Sequence, residues 1–196
     1  MDADVIQMLE FQAGNQRAFQ VLFDKYRKRI IHFCYRFCGD PLRAEELAQE
    51  VFLNVYKGAA DYRPTAKFST WLFQIATHAC LNELRNAGYR QRIDSLDAPM
   101  VTSDGEARPR EIRDLSGPPD EVLEQREREA LIQRALMELP EKQRAALSLR
   151  VLNGFSYQEI GSQIHCSENS VKTLIHRGRQ QLKRFFQQLE QRGDAA

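Results

Sequence analysis

Leu139 to Phe186 reads LPEKQRAALSLRVLNGFSYQEIGSQIHCSENSVKTLIHRGRQQLKRFF, and two helix starts lie inside it. Ser156 with Glu159 has the spacing of a capping box, in which hydroxyl and carboxylate each satisfy an orphan backbone N–H at a helix start. Tyr157 to Ile164 then makes one short helix, with Ile160 and Ile164 on the same face at i,i+4. Ser167 is placed to cap a second helix. On that helix Val171, Leu174, Ile175 and Leu182 form an apolar stripe. Lys172, Arg177, Arg179, Lys183 and Arg184 are left for the outside. A short supporting helix, a tight turn and a basic second helix make a helix-turn-helix, whose second helix lies in the DNA major groove.

Outward from that stretch, strand signals are almost absent and the fold reads as all-α. Asn15 caps a helix carrying Phe19, Leu22, Phe23, Tyr26, Ile30, Phe33 and Phe37. Gly39-Asp40-Pro41 stops it and starts the next, since glycine suits the left-handed cap and Asp-Pro suits N-cap and first turn. That next helix runs to about Lys57 on Leu42, Leu47, Val51, Phe52 and Val55. Ser69 or Thr70 opens another. From Gln91 to Pro119 periodicity disappears and Asp, Ser, Gly, Pro and Arg dominate, which reads as a linker. As flexible coil it spans roughly 30 Å. A helix from Asp120 to Met137 follows. Leu139-Pro140 breaks it and begins a helix with Ala145, Leu147 and Val151 inward. The plan is two helical domains, 1–90 and 120–196, on a tether of residues 91–119.

The 196 residues carry a formal charge of only +1, so global charge decides nothing about nucleic acid. Local charge does: Lys172 to Arg192 holds six basic residues against one acid, the electrostatic footprint of a nucleic-acid face. The competing reading is a solvated helix surface. The acidic amino terminus is not a secretory signal and no apolar run approaches a membrane span, so a cytoplasmic location with reduced cysteines is expected. Cys34, Cys38, Cys80 and Cys166 form no CxxC pair. They read as small core hydrophobes, with no metal site and no cofactor expected.

Two further segments stand out. Glu45, Glu46, Gln49 and Glu50 give one helix an acidic ridge beside Phe52. Acid near a helix start also favours the helix dipole, which accounts for Glu45 and Glu46 well and Glu50 poorly. Asp61 to Arg85 then interleaves aromatics with basic and polar side chains, a pattern suited to single-stranded nucleic acid. Packing into a core is the alternative for its aromatics, Trp71 and Phe73 above all.

AEELAQEVFLNVYK, then KFSTWLFQIATHACLNELR, a weak linker, and the helix-turn-helix stretch together resemble a bacterial sigma factor of the extracytoplasmic-function group over roughly residues 15–188. The resemblance implies a promoter-specificity subunit, not an enzyme, that binds core RNA polymerase and opens promoters of a stress or envelope-response regulon. By carry-over, Glu45, Glu46, Gln49, Glu50 and Phe52 dock on the clamp helices of the largest subunit. Tyr62, Arg63, Lys67, Phe68, Trp71, Gln74, His78, Asn82 and Arg85 handle the −10 element, where one base is extruded. Lys172, Thr173, His176 and Arg177 match groove-facing positions over the −35 duplex. Arg150, Ser170 and Arg179 match phosphate-facing ones. Four positions depart from the common pattern: Leu174 and Gln74 stand where many members have arginine, His78 where many have asparagine, and His165 in the turn where a small or polar residue is common. The same likeness implies an anti-sigma partner, often membrane-anchored. The linker acids Asp94, Asp97, Asp104 and Glu106 are expected to mimic nucleic-acid charge along the RNA path. An ordinary helix-turn-helix regulator binding DNA without polymerase is the competing function, and a pure interaction module the third.

Overall fold

A computed structural model describes residues 2–97 and 119–193, and among these every regular element is helical. Helices α1 (Ala3–Gln12), α2 (Gln16–Cys38), α3 (Pro41–Lys57) and α4 (Phe68–Asp97) build the first half, with a 3₁₀ turn at Gly58–Asp61. Helices α5 (Pro119–Met137), α6 (Glu141–Asn153), α7 (Tyr157–Ile164) and α8 (Glu168–Arg192) build the second.

The predicted punctuation is where the chain turns. Asn15 caps α2 through Arg17 N, and Gly39 ends that helix with φ 73°. Asp40 caps α3 with Pro41 in its first turn. The α7 capping box is complete, and Ser167 caps α8 through Ser170 N. His165 takes the left-handed conformation (φ 53°) in the turn between α7 and α8, a geometry histidine accepts better than most residues. Gly161 is required there. A Cβ on it would meet the Cys166 carbonyl oxygen at 2.5 Å, so only glycine lets the turn fold back this tightly.

The first core joins α2, α3 and α4 around Leu22, Ile30, Phe33, Phe37, Leu47, Val51, Phe68, Leu72 and Phe73. Cys34 and Cys80 meet inside it from α2 and α4. The contact with Cys34, together with burial, pushes the Cys80 thiol far up, and both side chains pack as small apolar residues. The second core joins α6, α7 and α8 through Leu147, Leu149, Ile160, Ile164, Val171 and Ile175.

Three sequence expectations are corrected. α4 continues to Asp97, seven residues into the stretch assigned to the linker. Leu42 and Val151, read as core, are 64% and 63% exposed. Each lies at the margin of its helix's apolar stripe. Of the linker acids, Asp104 and Glu106 lie outside the described residues, while Asp94 and Asp97 fall on the last turns of α4.

The two halves pack directly against each other. Arg144 of α6 is 5% exposed and donates to Phe37 O of α2, and within its own half to Met137 O and Leu139 O. Gln133 Nε2 of α5 donates to Tyr35 O at 2.8 Å.

Candidate polymerase and nucleic-acid interfaces

Three surfaces collect the residues singled out in the sequence. The first is the ridge of α3. Glu46, Gln49 and Glu50 are exposed and Glu45 is half-buried. Arg43 binds this ridge into a network, with Nη1 at 2.7 Å from Glu46 and 3.7 Å from Glu50, and Nη2 at 2.6 Å from Glu83 of α4. Hydrogen bonds donated to Glu83 and Glu46 keep the guanidinium firmly charged. Phe52 does not belong to this surface: it is 5% exposed, and its ring packs edge-on against Phe23 at 4.7 Å. Its neighbour Leu53 is 51% exposed and lines a shallow groove with Arg43, Glu46, Gln49 and Glu50. The exposed apolar side chain on this ridge is therefore Leu53, one position further round the helix. Periodicity located the stripe, but not which of two adjacent residues closes it.

The second surface is the loop before α4 and the helix itself. Tyr62 and Phe68 are buried and pack with Trp71, at 6.4 Å between the Tyr62 and Phe68 ring centres and 4.9 Å between Tyr62 and Trp71. These aromatics hold the loop from inside. Tyr62 and Phe68 are not available for stacking on bases in this conformation, while Trp71 is half-buried. Arg63 and Lys67 are exposed, and the Arg63 guanidinium rests on Tyr62 O at 3.1 Å. Gln74, His78 and Asn82 share one ridge at i,i+4 spacing, with exposed Arg85 at its far end. His78 and Asn82 border a cleft of about 470 Å³ between α3 and α4, which also takes in Arg43, Glu50 and Glu83.

The third surface is the outer face of α8. Lys172, Thr173, His176, Arg177 and Arg179 are all exposed. Lys172 pairs with Glu168 at 2.8 Å, and His176 Nε2 meets Gln180 Nε2 at 2.9 Å, so both are held along the helix. The Thr173 hydroxyl turns back to Asn169 O at 3.0 Å. Ser170 stands at the helix start, its hydroxyl 2.8 Å from that of Ser167. Arg177 and Arg179 project from the same exposed basic face. Arg150 is engaged differently: its Nη1 donates to Phe155 O at 2.8 Å, and its guanidinium lies 4.9 Å from the Tyr157 ring centre. It braces the entry to α7, and a phosphate would have to draw it away.

Among the described residues no group of histidine, cysteine and carboxylate side chains is arranged to hold a metal, and no helix is long and apolar enough to cross a membrane.

The family model for sigma-70 region 2 matches residues 22–90, and that for sigma-70 region 4 matches residues 129–182. The chain is 32% identical over 181 residues to the ECF RNA polymerase sigma factor SigW of Bacillus subtilis, covering 92% of this chain and 95% of that one. The chain belongs to the extracytoplasmic-function group of the sigma-70 family. It is equally 32% identical over 181 residues to the RNA polymerase sigma-H factor of Pseudomonas aeruginosa, covering 91% of each. In fold this sigma factor is similar to the solved structure of CnrH in complex with the cytosolic domain of CnrY, with a TM-score of 0.68 at 21% identity over 95% of this chain and 98% of that one. It is also similar to the sigma factor RpoE of Bartonella quintana, solved with the anti-sigma factor NepR, at TM-score 0.65 and 18% identity over 86% and 96%. Region 2 thus holds α3, the loop and most of α4, and region 4 holds the helix-turn-helix. Sigma factors are transcription initiation factors and not catalysts in themselves.

Proposed function

We propose that this sigma factor gives core RNA polymerase its promoter choice, each of the three surfaces taking one task. The α3 ridge docks on the polymerase clamp helices through Glu46, Gln49 and Glu50, with Leu53 as the apolar contact and Glu45 at the margin. Arg63, Lys67, Gln74, His78, Asn82 and Arg85 engage the melted −10 strand, over the scaffold of Tyr62, Phe68 and Trp71. Basic residues following phosphates beside polar groups aimed at bases is the chemistry of single-strand recognition. Extruding one base costs a few kcal/mol of stacking, which the pocket contacts must offset. Lys172, Thr173, His176 and Arg177 enter the −35 major groove, while Ser170 and Arg179 meet phosphates and fix register. The observation that carries the reading is the exposed basic face of α8 on the same chain as the exposed acidic ridge of α3. A DNA-binding helix alone would fit any regulator; the ridge supplies the place for polymerase. The co-crystallised partner of the Bartonella relative supports an anti-sigma factor as a further partner.

The test is run-off transcription with purified bacterial core polymerase on genomic fragments, with and without the chain. Discrete start sites that depend on the chain are expected, with shared sequence upstream at two spaced elements. No new starts, together with footprints on duplex DNA without polymerase, would replace this reading with that of an ordinary helix-turn-helix regulator.

A further inference from the structure

The first helix reaches the loop that carries Arg63 and Lys67. Gln12 is the last residue of α1, and its Nε2 donates to Ala59 O and Ala60 O, each at 2.9 Å, and to Tyr62 O at 3.3 Å. These carbonyls belong to the 3₁₀ turn at Gly58–Asp61 and the first residue after it. Helical backbone ends there, so no following turn supplies Ala60 O and Tyr62 O with N–H donors. The Arg63 guanidinium rests on the same two: its Nη1 is 3.5 Å from Ala60 O and 3.1 Å from Tyr62 O. Gln12 and Arg63 are thus two donors on one pair of acceptors. α1 does not need Gln12 to stay in place. Asp4 near its start accepts from Lys25 Nζ and from the Tyr26 hydroxyl at 2.6 Å, and Met8 and Phe11 are buried. The contacts of Gln12 therefore serve the loop.

We propose that Gln12 is a positioning residue for reading the −10 strand: its amide gathers the main chain of residues 59–62 and keeps Ala60 O and Tyr62 O supplied with a donor when Arg63 turns to a phosphate. The inference rests on the assignment of this loop to the −10 strand. An arginine leaves a carbonyl at little cost when a second donor remains, because a polar group left unmatched costs more than a matched one gains. Tyr62 before Arg63 is buried, and Pro64 after it has a fixed φ. The course of the main chain at 59–62 is therefore passed on to the point from which the Arg63 side chain starts. In this way α1, which lies outside the DNA-facing surfaces, takes part in strand reading.

The experiment uses holoenzyme assembled from the full chain and purified bacterial core polymerase. The probe is a fork-junction DNA library, randomised in its upstream duplex and in its single-stranded non-template segment, and bound molecules are sequenced. Gln12→Met keeps the length of the side chain without a donor, Gln12→Glu offers only acceptors, and Gln12→Lys restores a terminal nitrogen with donors. Wild type should enrich defined bases in both parts of the probe. In Gln12→Met and Gln12→Glu the single-strand enrichment should fall about tenfold, with duplex enrichment and core affinity as in wild type. Gln12→Lys should recover it. A role in stability alone would lower the melting temperature, core affinity and both enrichments together, and that result overturns the proposal. So does full single-strand enrichment in both donorless variants, or its loss in Gln12→Lys to the same extent. Arg63→Ala separates the proposal from the assignment beneath it. Loss of single-strand enrichment in Arg63→Ala but in no Gln12 variant leaves the loop as the reader and removes Gln12. Full enrichment in Arg63→Ala removes the loop contact itself. Adding Gln12→Met to Arg63→Ala should cost less than about twofold more, since the two act on one step. A full further loss overturns the route through Arg63.

Discussion

At the residue scale, neighbouring side chains divide sharply in what they do. On α8, Arg177 points outward and Ile175 inward, two residues apart. If Arg177 reads a base edge, Arg177→Ala should weaken −35 duplex binding by ~1–3 kcal/mol and relax sequence preference at one position. Core-polymerase affinity should stay as it was, and titration of holoenzyme assembly checks this. A uniform loss over all sequences with a shallower salt dependence would reassign Arg177 to a phosphate. On α3 the division falls between Phe52, inside, and Leu53, outside. Leu53→Asp should therefore cost about tenfold in core-polymerase affinity, ~1.4 kcal/mol, with thermal stability nearly unchanged. Phe52→Ala should do the opposite, lowering stability by ~3–5 kcal/mol as a large buried ring is lost. If Leu53→Asp assembles holoenzyme normally, the ridge is not the docking surface.

At the scale of the elements, the caps carry the fold and were legible, because they are local chemistry. Asn15, Asp40, Ser156 and Ser167 each satisfy backbone donors within three residues, so no distant information is needed to place them. The facing of a helix is not local. Leu42, Val51 and Val151 look alike in sequence, yet only Val51 is buried. The loop aromatics Tyr62 and Phe68 illustrate the same gap: a pattern of aromatics among basic residues is identical whether the rings stack on bases or on one another. Burial of these two identifies them as the scaffold that carries Arg63 and Lys67. The end of α4 escaped for another reason. Asp, Ser and Arg make poor apolar periodicity, but none of them stops a helix as proline does. The turn of the helix-turn-helix gives the sharpest prediction at this scale. Gly161→Ala brings a Cβ against the Cys166 carbonyl, which is backbone and cannot swing aside. It should destabilise the second domain by ~1–3 kcal/mol and lower −35 binding in proportion to the unfolded fraction. Cooling should restore that binding. Restoration failing while the fold is intact would mean the turn deforms α8 itself.

At the scale of the whole molecule, two helical units are joined by more than their tether, and one side chain marks the junction. Arg144 is a buried guanidinium whose two terminal nitrogens donate to three main-chain carbonyls, Phe37 O on one half and Met137 O and Leu139 O on the other. Burial lowers its affinity for the proton, while Glu141 raises it. A planar fork with several donors serves carbonyls that diverge in direction, which a lysine ammonium cannot reproduce. The carbonyls at the ends of α2 and α5 have no further turn of helix to satisfy them, so the guanidinium completes both helices at once. Melting of one half then exposes an unsatisfied end on the other, which couples the two. Wild type should accordingly unfold in a single calorimetric transition despite its two-domain plan. Arg144→Met keeps much of the apolar stem and removes every donor. It should split the transition, with the second domain melting first because it loses two of the three contacts. A variant that stays cooperative and merely melts lower would show that the edge-on contact of the Phe73 and Phe155 rings across the two halves, 5.7 Å between centres, and not the guanidinium, carries the coupling.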